Sequence, residues 1–78
     1  GRLKTDPADH DARLALAGLY ASQRSYAAAM DELLEIVRRA REWRDGEARR
    51  QLLAIFELAA GDAALVAAYR RKLASALH

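Results

Sequence analysis

A chain of 78 residues without cysteine is a single domain that buries only roughly 60% of the surface its unfolded form exposes, and it folds by packing alone, with no disulfide, thiol chemistry or cysteine-type zinc site. Apolar residues make up 53% of it, but much of that share is alanine, which favours helix and close helix contact while adding little transfer free energy. The net charge of +2 hides an asymmetry, with 4 basic and 6 acidic groups in residues 1–35 against 9 and 5 in residues 36–78.

Residues 1–8 show no periodicity and carry Asp6-Pro7, where proline holds the preceding residue extended, so this stretch reads as a linker. Asp9 can accept from the free amides of a first helical turn, and Asp11 adds charge near its positive end, which predicts a helix over about 9–22. Its apolar positions Ala12, Leu16, Leu19 and Tyr20 recur at three and four. Gly18 costs that helix ~1 kcal/mol relative to alanine, which points to close packing or groove clearance. After the polar break Ser22-Gln23-Arg24-Ser25, with Ser25 as N-cap, a second helix is predicted over 25–40. Tyr26, Ala29, Met30, Leu33, Ile36 and Val37 form its buried stripe, and Glu35 sits at pairing distance from Arg38 and Arg39.

Arg41 to Gly46 breaks the pattern, with Asp45 as the next cap and Trp43 packing back as a staple that sets the angle between units. A third helix follows over 45–60, with Ala48, Leu52, Leu53, Ile55, Phe56 and Ala59 on an apolar arc and Gly61 as a left-handed stop. Asp62 caps a fourth over 62–77, whose stripe is Leu65, Val66, Tyr69, Leu73 and Leu77. Nothing alternates with period two, so no strand is expected. Slid along itself by 36 residues, the chain places Asp9 on Asp45, Leu16 on Leu52, Tyr20 on Phe56, Leu33 on Tyr69 and Val37 on Leu73. One helix-turn-helix unit is therefore used twice: an all-α fold of four helices in two stacked antiparallel hairpins.

The first unit resembles a tetratricopeptide repeat: Leu16-Ala17, Tyr20, Tyr26, Ala29, Leu33 and Ile36 fall at that motif's large and small packing positions. Arg13, Arg24 and Arg41 stand where the motif has an early tryptophan, a turn glycine and a closing proline. In the second unit Leu52, Phe56 and Tyr69 keep large sites, while Leu53 and Leu65 occupy sites normally small. From Pro7 to Leu77 the chain is also similar to the C-terminal repeat domain of bacterial thioredoxin-like chaperedoxins of the YbbN type. The residues carrying this are Asp9-His10-Asp11-Ala12-Arg13, Asp31-Glu32-Leu33-Leu34-Glu35-Ile36-Val37, Trp43 to Leu53 with Phe56, and Tyr69 to Ala74. That resemblance implies an upstream thioredoxin-like domain, a cytoplasmic location, the holding of unfolding protein or peptide clients, and their transfer to chaperones including the chaperonin. The start at Gly1 without methionine fits a piece of a longer chain.

Arrays of this kind bind on the concave side formed by the first helix of each unit. The resemblance therefore implies groove positions at Asp11, Leu14, Gly18 and Ala21, and at Glu47, Arg50, Gln51, Ala54, Glu57 and Leu58. Leu14 and Leu58 beside Arg50 and carboxylates suit an extended peptide. A carboxylate clamp for acidic chaperone tails needs Lys and Asn near the positions held by Leu14 and Gly18, so that mode is not expected. Tyr69, Leu73 and Leu77 on the last helix form a second surface, an apolar edge for the upstream domain, a chaperone or a weak homodimer.

Two other classes compete with this reading. The arginines at 38, 39, 41, 44, 49 and 50 are the motive for nucleic-acid binding, but Trp43 is the one nearby stacking aromatic and no nucleic-acid motif occurs. Arginines near helix C-termini also complement the helix dipole. A generic repeat scaffold for homo-oligomerisation is the remaining alternative. An enzyme is not predicted, and neither is a cofactor or metal: His10 and His78 lack ligand spacing and read as solvent-facing, and Asp31, Glu32 and Glu35 as a wet face. No apolar run nears the ~18 residues of a membrane span, and no signal-peptide order opens the chain, so a soluble protein is expected.

Overall fold

The computed structural model describes residues 9–77; the predicted linker 1–8 and His78 lie outside the described residues. Four α-helices follow one another, α1 (His10–Ser22), α2 (Tyr26–Arg39), α3 (Glu47–Leu58) and α4 (Ala63–Leu77), with a short 3-10 turn at Trp43–Asp45 between α2 and α3. Asp9 caps α1 by accepting from the Ala12 amide at 3.0 Å, and Asp62 caps α4 by accepting from the Leu65 amide at 3.1 Å. Each satisfies one of the amides that a first turn leaves without an internal partner. Ser25 holds the N-cap position of α2 without a side-chain bond.

The caps of α3 differ from expectation. Asp45 does not cap it: Arg44 and Asp45 take left-handed backbone (φ 50° and 54°), and Gly46, at φ 79°, occupies the N-cap position instead. Two successive non-glycine residues in that region turn the Asp45 side chain out of capping reach, and the Arg50 guanidinium holds the turn by donating to the Asp45 and Arg44 carbonyl oxygens. Gly61 is not left-handed, since Gly46 is the one glycine of positive φ among the described residues. The α3–α4 corner is an ordinary tight turn in which the Asp62 amide donates to the Ala59 carbonyl at 2.8 Å. Arg24 does adopt left-handed backbone (φ 61°) in the α1–α2 turn.

α2 is the wall the others share. It buries Ala29, Met30, Leu33, Leu34, Ile36 and Val37, each at 2% exposure or less, and α1, α3 and α4 all pack on it. The core continues through Ala17, Ala48, Leu52, Ile55, Phe56, Tyr69 and Leu73. Arg13 on α1 and Glu32 on α2 close the first hairpin with a 2.8 Å ion pair between largely covered side chains. Glu35 pairs with Arg38 and Arg39 along α2 as expected.

The two hairpins are not alike. α1 and α2 lie close together, whereas α3 and α4 approach α2 much more than each other. Side-chain size explains this. Ala17 and Ala29 face each other's helices at 2% and 0% exposure, and their counterparts 36 residues on are Leu53, 39% exposed, and Leu65, half-buried. Two leucines cannot occupy a gap built for two alanines, so the second pair opens. Leu53, expected on a buried stripe, is accordingly exposed; Leu19, expected on the stripe of α1, is also exposed, at 53%.

Candidate functional site

The head of α1 and the α2–α3 turn are tied together. Trp43, half-buried against the core, meets the His10 ring edge-on at 5.5 Å, and the Arg44 guanidinium lies 4.8 Å over the same indole. Arg44 also pairs with Asp11 at 2.6 Å. Trp43, expected to pack on the following helix, thus meets the head of the preceding hairpin. His10, expected in solvent, is half-buried beneath that ring, and its Nδ1 has no hydrogen-bond partner among the described residues.

α3 carries most of the sequence-predicted groove residues, and one of its faces is buried while the other is open. Ala48, Leu52, Ile55, Phe56 and Ala59 point to the core; Arg50, Gln51, Ala54, Glu57 and Leu58 are exposed. Leu58, at 63%, is the most exposed large apolar side chain among the described residues. At the start of α3, Gln51 donates to the Glu47 carboxylate at 3.0 Å. That bond first, and the nearby Arg50 and Arg44 charges after it, hold the Glu47 carboxyl below its usual range. Glu47, Arg50 and Gln51 therefore form a preordered polar patch about two to three helical turns from Leu58. On α1, Leu14 and Ala21 are half-buried against the core, Gly18 opens on empty space, and Asp11 is engaged by Arg44.

The proposed second surface is corrected by burial. Tyr69 and Leu73 are 6% and 7% exposed, because α4 turns that stripe onto α2. The Tyr69 hydroxyl donates to Asp31 Oδ1 at 2.6 Å; burial, and next that bond to a carboxylate, push its pKa up to about 12. Leu77 is half-buried, and its carbonyl accepts from Arg41.

Two clefts accompany the opened second hairpin. One, about 470 Å³, runs between the start of α2 and the α3–α4 corner, past Tyr26, Leu58 and Leu65. The other, about 340 Å³, lies between α3 and α4, floored by Phe56 and Val66 and rimmed by Glu57 and Arg70, with the Arg70 guanidinium 4.9 Å over the Phe56 ring. Of the groove positions, Leu58 lines the first and Glu57 the second. The α3/α4 cleft was not foreseen, although Leu53 and Leu65 at normally small sites were its visible sign.

Among the described residues no group of three or more His, Cys, Asp or Glu could hold a metal ion, and no helix is long and apolar enough to cross a membrane. Searches of curated proteins and of solved structures return no significant match. A family model described as tetratricopeptide repeat matches residues 1–78. With two helical hairpins in a 36-residue register, the chain belongs to the tetratricopeptide-repeat family.

Proposed function

We propose that this domain is the docking module of a thioredoxin-like cochaperone, one that holds unfolding clients and passes them to chaperones, the chaperonin among them. Tetratricopeptide repeats generally mediate protein–protein interaction, and the similarity running from Pro7 to Leu77 supports the narrower reading. On that reading residues 1–8 link an upstream thioredoxin-like domain to the helical domain that begins at Asp9, in the cytoplasm. The observation that carries the docking role is the open face of α3, where Leu58 and Ala54 sit in line with the hydrogen-bonded Glu47 and Gln51. An apolar contact flanked by fixed donors and acceptors suits an extended backbone, which brings both side chains and unpaired amides. Gly18 and Leu14 on α1 supply the opposite wall.

The polar contacts favour this over nucleic acid. Arg38 and Arg39 share Glu35, Arg44 pairs with Asp11, and Arg50 with Glu47 and two carbonyls, so four of the six arginines already have a carboxylate beside them. A fluorescently labelled, permanently unfolded protein, titrated by anisotropy, should bind with little dependence on salt. Leu58→Glu should weaken that binding roughly tenfold, about 1.4 kcal/mol, while the helical circular dichroism is unchanged. Tighter binding to a random oligonucleotide, falling steeply with salt, would replace this reading.

A further inference from the structure

The 36-residue register that relates the hairpins also relates two faces left uncovered among the described residues. Inside the molecule α3 lies on α2 through Ala48, Leu52, Ile55 and Ala59, none more than 5% exposed. Moved back by 36 residues, the same stripe is Ala12, Leu16 and Leu19 on α1 and Gln23 at its C-cap. There Ala12 and Leu16 are half-buried, and Leu19 and Gln23 are exposed.

The receiving side repeats as well. α2 buries Met30 and Leu34 at 0% and 1% exposure, and their counterparts on α4 are Val66, half-buried, and Arg70, exposed. These two line the α3/α4 cleft beside Phe56, Ala63 and Ala67. Among the described residues, one end thus carries a ridge that enters no cleft, and the other a cleft that no ridge fills. The alanines leave room for a helix to approach closely.

We infer that copies of this chain stack head to tail, α1 of one copy entering the α3/α4 cleft of the next, so that the contact between copies continues the contact between hairpins. Charge favours the same pairing. The half that contains the ridge is acidic and the half that contains the cleft is basic, and Arg70, lying over Phe56, gives the cleft a basic rim. The stack is weaker than its internal template. The Tyr69–Asp31 bond that joins α4 to α2 has Leu33 and Ala67 as its counterparts across copies, and these cannot form it. Ridge and cleft are different surfaces, so the contact is heterologous and grows open-ended rather than closing as a two-fold dimer.

Sedimentation velocity over rising concentration tests this with one variant at each end. Leu19→Glu spoils the ridge and Ala67→Glu the cleft; both positions are exposed, and circular dichroism and melting check that each variant folds. The wild type should show a sedimentation coefficient that climbs with concentration past that of a dimer, and falls back in high salt as screening removes the charge term. Each variant alone should remain monomeric. An equimolar mixture should form a dimer and nothing larger, because one intact ridge meets one intact cleft. A wild type that stays monomeric at about 1 mM or stops at a dimer, or a mixture that stays monomeric, would overturn the proposal. So would an unfolded client whose binding is lost in Ala67→Glu while the wild type never self-associates, since the cleft would then belong to the client. The Leu58→Glu experiment reads a different face, so either proposal can fail without the other.

Discussion

Tyr69 joins two helices through one hydroxyl, and its chemistry makes the junction sensitive to alkali. The phenol donates to Asp31 at 2.6 Å, and its pKa stands at about 12 against an ordinary value of 10. The folded state therefore binds this proton more tightly than the unfolded state does. The contribution is complete below pH 10 and is lost as the pH rises from 10 through 12. Tyr69→Phe should cost about 1 kcal/mol at neutral pH and should melt with a flatter dependence on pH across that window. Thermal denaturation at stepped pH values measures both. At the α1–α2 turn, Arg24 holds a left-handed conformation (φ 61°) that strains any side chain bearing Cβ. Arg24→Gly should raise stability by about 0.5–1 kcal/mol, the relief of backbone strain exceeding the added freedom of the unfolded chain. Chemical denaturation reads the change directly.

Among the elements, the difference between the hairpins comes from four residues, Ala17 and Ala29 in one, Leu53 and Leu65 in the other. The close first hairpin has no space for a larger side chain, and the open second hairpin leaves Leu53 at 39% exposure. Ala17→Leu should therefore cost about 1–3 kcal/mol by overpacking, while Leu53→Ala should cost less than ~1 kcal/mol. Denaturant midpoints of the two variants test the asymmetry. Helix order and the caps at Asp9 and Asp62 were legible in the sequence, because both rest on local rules: spacing at three and four, and a carboxylate three residues ahead of an amide. The spread of α3 from α4 was not, although its leucines were visible, because periodicity says which face is apolar but not how far apart two such faces settle. Leu19 shows the same limit, since no element among the described residues covers that part of the α1 stripe. The Asp45 cap failed for another reason. Its side chain was right, but the backbone at residues 44–46 is left-handed throughout, a property of the turn as a whole.

At the scale of the molecule, two stacked hairpins measure 35 × 30 × 18 Å, a slab about two helix diameters thick. With so few layers, nearly every helix has one face in the core and one in water, so the open faces of α1 and α3 are consequences of size as much as of sequence. α2 has the widest buried stripe, and that stripe gives the open faces a packed backing. Part of the groove was readable beforehand: the heptad-like spacing of Glu47, Gln51, Ala54 and Leu58 puts them on one side of α3, and the structure leaves that side open. The hydrogen bonds that order Glu47 and Gln51, and the engagement of Asp11 by Arg44, were beyond the sequence because they depend on how the α2–α3 turn folds back on α1. A backbone amide titration of the labelled domain with an unfolded polypeptide, followed by NMR, tests the docking face most directly. The account predicts shift changes concentrated at Gly18, Ala21, Ala54 and Leu58; changes confined to α4, or none at saturating polypeptide, would contradict it.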